Sequence, residues 1–168
     1  MSVLLYLVRH GVAEEPGEAW PDDSKRPLTA KGKARLREVA QGLLALDVQM
    51  DEVLSSPFVR ARQTADVLAS AYADVPPITL LPALAVGGDV AGALAQLPRF
   101  ARRQNLALVG HAPSIGLLAA RLAGARRAFE FRKGAVCCIE VDALTAAPRG
   151  RLRWFLTPRM LRQIGRTG

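Results

Sequence analysis

Cysteine is nearly absent from this sequence: the only two stand side by side, Cys137 and Cys138 within AVCCIEV. Neighbours on a strand point to opposite faces, so neither a disulfide framework nor a zinc site is expected, only small residues packed in a strand. Histidine is as scarce, with His10 and His111 alone, and two imidazoles without a third ligand in register make no metal centre. No apolar run approaches the ~18 residues of a membrane span. The N-terminal run also lacks a basic flank before it and a small-residue cleavage site after it, which leads us to expect a soluble, cytoplasmic protein with no membrane partner. Aromatic residues make up 5% of the chain, and its basic segments lack the interleaved aromatics and signatures of nucleic-acid binding.

Acidic residues are missing chiefly from one region. Residues 1–120 hold 12 basic and 12 acidic side chains, whereas residues 121–168 hold 11 basic and 3 acidic, so the whole net charge of +8 lies in the last 48 residues. A solvated face, or a patch that attracts an acidic or phosphorylated protein, fits this distribution better than nucleic acid. At 168 residues, without repeats or linkers, the sequence reads as one domain over 1–168. A chain of this size buries about 70% of its unfolded surface and needs no disulfide or metal to hold it.

The run VLLYLVR at 3–9 reads as a buried strand, and residues 12–27, with three prolines and several acids, as a long loop. Thr29 is a plausible N-cap for a helix reaching about Leu46, with Leu36, Val39, Ala40, Leu43 and Leu44 on one face. A strand at Glu52–Ser55 precedes Ser56-Pro57, the expected N-cap and first helical residue of a helix whose inner face is Ala61, Ala65, Leu68 and Tyr72. A third strand near Ile78–Leu81, a helix capped by Asp89, a fourth strand in LALVGH and a short helix in PSIGLLAARLA follow. AVCCIEV and RLRWFLT close the sequence as strands, a hairpin at one edge joined through a turn at 148–150. The fold class expected is α/β, a three-layer sandwich with a largely parallel central sheet flanked by helices. Ligands bind such sheets beyond the carboxyl ends of the strands.

Both histidines fall there, at the ends of YLVRH and ALVGH, each beside a glycine. Arg9 leaves the first strand beside His10, and Arg60 belongs to the first turn of the helix after the second strand. Guanidinium forks grip phosphate oxygens bidentately, and nearby helix N-termini add positive potential. Two imidazoles and two guanidiniums at one edge describe a pocket for a phosphoryl group. Read one at a time, Arg60 could equally pair with an acidic neighbour on its helix, and VRHG could be an ordinary strand exit.

VRHG at 8–11, LSSPFVRARQTA at 54–65 and LVGHAPSIG at 108–116, in this order and spacing, resemble the histidine phosphatase superfamily, which includes the phosphoglycerate mutases. The compact length, RPLTAKG at 26–32, GGDV at 87–90 and the TPR after the last strand are most similar to the small bacterial phosphohistidine phosphatases of the SixA type. The resemblance implies a phosphoglycerate mutase-like fold and a phosphatase without cofactor or metal. His10 would be the nucleophile, forming a covalent phosphohistidine that water hydrolyses, and Arg9, Arg60 and His111 would clamp the phosphoryl oxygens. Gly11, leaving room for the phosphate, Arg26 at the rim and Ala112 would contact the substrate. Phosphoryl transfer asks mainly for positioning and charge stabilisation, and a neutral imidazole is a competent nucleophile at neutral pH.

Two departures bear on the substrate. Relatives acting on esters usually carry a glutamate after the third strand as proton donor, and here Ala83 stands in its place, with Asp89, Glu14 and Glu15 as substitutes. A phosphohistidine imidazole leaves without that acid more readily than an alkoxide does. Relatives that grip small phosphates add a long insertion over the pocket, and residues 75–105 leave no room for one. The expected substrate is therefore phosphohistidine on a partner protein, a phosphotransfer domain or a phosphocarrier, met by a monomeric enzyme in signal transduction. A phosphatase of small phosphate or nucleotide esters and a non-catalytic phosphate-binding module are the alternatives.

Overall fold

Alternation along the central strand sorts the core into two layers, and the helices follow from it. The computed structural model describes residues 1–168. Its strands are β1 (Val3–Arg9), β2 (Glu52–Ser55), β3 (Ile78–Leu80), β4 (Asn105–Gly110), β5 (Val136–Val141) and β6 (Gly150–Leu156). Its helices are α1 (Ala30–Ala45), α2 (Val59–Ala69), α3 (Val90–Gln96), α4 (Ser114–Ala123) and α5 (Pro158–Thr167). The sheet order is β3-β2-β4-β1-β5-β6. The first four strands run parallel, and β5 and β6 are antiparallel additions at one edge, the hairpin expected from the sequence.

Leu5 and Leu7 of β1 face α3 and α4, where they join Leu54, Leu94, Leu108, Ile115 and Leu118. Tyr6 and Val8 face α1, α2 and α5, joining Val39, Leu43, Ala65, Leu68 and Leu161. The result is the three-layer sandwich the pattern implies. Cys137 and Cys138 are buried as free thiols in opposite layers, as alternation requires. No helix is long and apolar enough to cross a membrane.

Thr29 caps α1 as its sequence suggests, its hydroxyl accepting the Gly32 N–H at 2.8 Å. Two expectations need correction. Ser56 and Pro57 are not the cap and first residue of α2, which is capped by Phe58 and begins at Val59. The Ser56 hydroxyl accepts the Phe58 N–H at 3.1 Å instead, shaping the turn before the helix. The chain also does not end in strands: α5 follows β6, started by a Thr157 hydroxyl that accepts the Met160 N–H at 3.2 Å and by proline in its first turn. It packs so closely on α1 that a Cβ at Gly42 would drive into the Leu161 carbonyl.

Candidate active site

Strand register builds the site. Arg9 of β1 lies opposite Gly110 of β4, so the next residues, His10 and His111, emerge side by side at the carboxyl ends of the two central strands. The His10 N–H donates to the Gly110 carbonyl at 3.0 Å, the ring centroids are 5.1 Å apart, and both rings are buried. Ser55 of β2 lies opposite Val109, which brings Ser56 beside His111.

The hydrogen bonds decide the tautomers. His10 Nδ1 is 2.7 Å from the Gly11 carbonyl oxygen. A carbonyl only accepts, so Nδ1 carries the hydrogen and Nε2 holds the lone pair. His111 Nε2 is 2.8 Å from Ser56 Oγ, which already accepts the Phe58 N–H. That hydroxyl is buried with no other acceptor, so its hydrogen goes to Nε2 and the ring hydrogen of His111 sits on Nδ1. His111 Nδ1 is itself buried without a partner.

Three more buried nitrogens share that condition, two of them at this edge, Nε of Arg9 and Nε of Arg60. Arg9 is fixed by its Nη1–H to the Phe131 carbonyl at 2.7 Å. Arg60, only 4% exposed, lies with its guanidinium carbon 5.2 Å from the Phe58 ring centroid. The Phe58 ring also meets His111 edge-on at 5.1 Å. Buried N–H groups almost always find partners, and three left over on residues at this edge are donors that an anion bound there would satisfy.

Both imidazoles are held neutral. Burial first, opposed by the Gly11 hydrogen bond and reinforced by Arg60, Arg9 and Lys133, lowers the His10 pKa from 6.5 to about 4. Burial, then the neighbouring His10 and Arg60, lowers that of His111 to about 3, with Asp23 pulling the other way.

Asp23 is a residue the sequence reading passed over. It sits in a short 3-10 turn, Asp23–Lys25, inside the segment expected to be plain loop. Arg60 donates from Nη1 to the Asp23 carbonyl at 2.9 Å and from Nη2 to Oδ2 at 3.0 Å, and Arg26 Nε donates to Oδ1 at 2.9 Å. Arg26 spends Nη1 on the Glu14 carbonyl at 2.7 Å. The arginine expected at the rim is therefore tied into the loop and reaches the site through the shared carboxylate. The acidic pairing weighed for Arg60 does exist, with a loop residue rather than one on its own helix. Hydrogen bonds from Arg26 and then Arg60 lower the Asp23 pKa, so it is an ionised orienting group and not a proton donor.

Thr64 was also missed. It is fully buried on α2, donating to the Arg60 carbonyl at 2.8 Å and accepting the Gly11 N–H at 3.1 Å. Nothing but its place one turn after Arg60 could have signalled this. A Cβ at Gly11 would lie 2.6 Å from Leu36 Cδ1, so the close approach of α1 also favours glycine there. Ala112 is exposed immediately after His111. Ala83 shares a small apolar hollow with His111, Leu84, Ile115 and Leu118, and brings no titratable group to it. Glu14, Glu15 and Asp89 are exposed. No three His, Cys, Asp or Glu side chains cluster so as to hold a metal ion.

The family model for the histidine phosphatase superfamily (branch 1) matches residues 5–86. An uncharacterised protein of Picosynechococcus sp. PCC 7002 is 41% identical over 114 residues, covering 67% of this chain and 68% of that one. The phosphohistidine phosphatase SixA of Escherichia coli K12 is 28% identical over 156 residues, 92% of this chain and 93% of its own. Among solved structures, that of the protein histidine phosphatase SixA complexed with tungstate superposes with a TM-score of 0.84 at 28% identity, covering 95% of this chain and 99% of that one.

Proposed function

The chain belongs to the histidine phosphatase superfamily and is a phosphatase, and we propose that it hydrolyses phosphohistidine on a partner protein through a covalent phosphohistidine on His10. In this reading Nε2 of His10 attacks phosphorus as the P–N bond to the substrate imidazole breaks. Solvent protonates the far nitrogen of the substrate ring, and the departing ring takes the P–N bonding pair onto the freed nitrogen and leaves as neutral imidazole. Water then attacks the phosphorus of phospho-His10, releasing inorganic phosphate and restoring the neutral ring.

Each residue of the site has a part in this scheme. The Gly11 carbonyl keeps the hydrogen on Nδ1, so that Nε2 stays nucleophilic. Arg9, Arg60 and His111 turn their unpartnered N–H groups to the phosphoryl oxygens, whose charge must be met in the transition state. Ser56 sets the His111 tautomer for this task, and Asp23 orients Arg60. Ala112 borders the substrate, and Arg26 supports the site through Asp23.

One observation carries the substrate assignment: the groups packed around His111 include no acid that could protonate a leaving group. Ala83 occupies the hollow beside His111, both imidazoles are neutral, and the carboxylate acting on His111 is held ionised. An alkoxide leaves poorly from such a site, whereas an imidazole whose far ring nitrogen is protonated by solvent leaves as a neutral molecule without an acid from the protein. Phosphohistidine as the substrate is in keeping with the name of the SixA relative, and a cytoplasmic phosphotransfer domain or phosphocarrier would carry it.

The test is phosphate release from a phosphorylated histidine phosphotransfer protein, run beside p-nitrophenyl phosphate and beside His10→Ala. We expect release from phosphohistidine, little from the ester, acid-labile label trapped on the wild-type protein, and none of these in the variant. Faster ester hydrolysis, or activity that survives His10→Ala, would overturn the reading.

A further inference from the structure

A narrow groove of about 100 Å³ opens directly beside the site, starting at Gly11, the neighbour of His10. Arg35 of α1, Lys133 of the segment before β5, and Arg159 and Arg162 of α5 line it, and no carboxylate does. Its floor is apolar, with the buried Leu36 in it. Arg35, Lys133 and Arg159 are exposed and make no ion pair within the chain. Arg162 has only a distant one, 3.9 Å from a Glu38 that Arg166 holds at 3.1 Å, and its Nε is buried without a partner.

Four cations converge here, three of them with no counter-charge and Arg162 with only a distant one; they repel one another, and the fold tolerates this at a place where three separate elements had to meet. A surface arrangement for solubility would spread such charges apart; this one concentrates them in a concavity continuous with the catalytic edge. Lys133 links the two regions, since it also lines a second hollow that contains Arg9.

We infer that this groove docks an acidic stretch flanking the phosphohistidine of the substrate protein, with carboxylates paired to Arg35, Lys133, Arg159 and Arg162. The inference rests on the proposed function and names the chemistry of the partner. A phosphohistidine seated at His10 brings its own chain neighbours over Gly11 and into the groove. Carboxylates are small enough to enter a space of this size and match guanidinium forks bidentately. No aromatic side chain lines the groove, so a nucleic-acid strand would find nothing on which to stack. The excess of basic residues in the last third of the sequence thereby has a local task, because three of these four cations belong to it.

Two phosphohistidine peptides, one with glutamates and one with glutamines on both flanks, and free phosphohistidine test this against the wild type and an Arg35→Gln/Arg159→Gln variant. Both substituted side chains are exposed and make no internal bonds, so folding is undisturbed. The glutamate peptide should have a KM about tenfold lower than the glutamine peptide on the wild type, and the variant should lose that difference, as should raised salt. Free phosphohistidine should be hydrolysed equally by both proteins. Equal KM for the two peptides on an active wild type, or an equal loss on free phosphohistidine in the variant, overturns the groove and leaves the proposed function standing. A wild type inactive on all three substrates overturns both. Loss in the variant of retention on phosphatidylglycerol vesicles or duplex DNA, with no peptide discrimination, would transfer the groove to another partner and refute the assignment.

Discussion

The two buried imidazoles make the stability of the protein depend on acid in a calculable way. In the unfolded chain each titrates near 6.5, and in the fold His10 is held at about 4 and His111 at about 3. Below 6.5 the unfolded state binds more protons, so the stabilising contribution of each ring is complete above that pH. It is lost as pH falls, through about 4 for His10 and about 3 for His111. At about pH 4.5 the unfolded rings are charged and the folded ones largely are not, a deficit of roughly 2–3 kcal/mol per ring at about 1.4 kcal/mol per pH unit. Carboxylates titrate in the same window, so the measurement is a comparison: urea unfolding at about pH 7 and about pH 4.5 for wild type, His10→Asn and His111→Asn. Each variant should lose roughly 2–3 kcal/mol less than the wild type between the two conditions. Identical losses in all three proteins would refute the claim that these rings are buried neutral.

Other substitutions probe the supports of the site. Thr64→Val keeps the shape and leaves the buried Gly11 N–H without an acceptor, so denaturant unfolding should show a loss of about 1–3 kcal/mol, while Thr64→Ser retains most of the stability. Equal stability of wild type and Thr64→Val would show that the bond contributes nothing. Ala83→Glu places a carboxyl group in the hollow shared with His111. Hydrolysis of an alkyl phosphate such as glycerol phosphate should then rise by about tenfold or more, with phosphohistidine turnover little changed. No gain on the ester would mean that proton donation does not set the substrate range.

The histidine-bearing edge is legible in the sequence because the two strands that carry it are fully buried, and buried parallel strands read as unbroken apolar runs ending where the sheet ends. VLLYLVR and NLALVG leave no other interpretation, and Arg9, His10 and His111 follow from them. Arg60 is legible as a first-turn residue even though the cap before it was misplaced by two residues, an ordinary ambiguity when Ser-Pro precedes a helix. Helix α5 carries legible signals that the sequence analysis reads as the end of a strand: Thr157-Pro158 is an N-cap followed by a first-turn proline, and PRMLRQIGRT is the most strongly amphipathic helix of the chain, although only Leu161 in it is fully buried. Asp23, Ser56 and Thr64 could not be found because their roles depend on contacts 37, 55 and 53 residues away in the chain. Short polar side chains in loops and helix turns carry no local sign of such bonds.

The sheet order also governs when the protein can become active during folding. β1 makes its ladder only with β4 and β5, pairing Leu4 with Asn105 and Val3 with Val141. A chain collapsed as far as β3 would hold β2 and β3 together while the strand bearing His10 waited without a neighbour, and closing those long loops is the slow part of assembling such topologies. The pairing that sets His10 beside His111 therefore exists only once β4 is in place, so a copy of the chain without β4 lacks the centre rather than holding half of it.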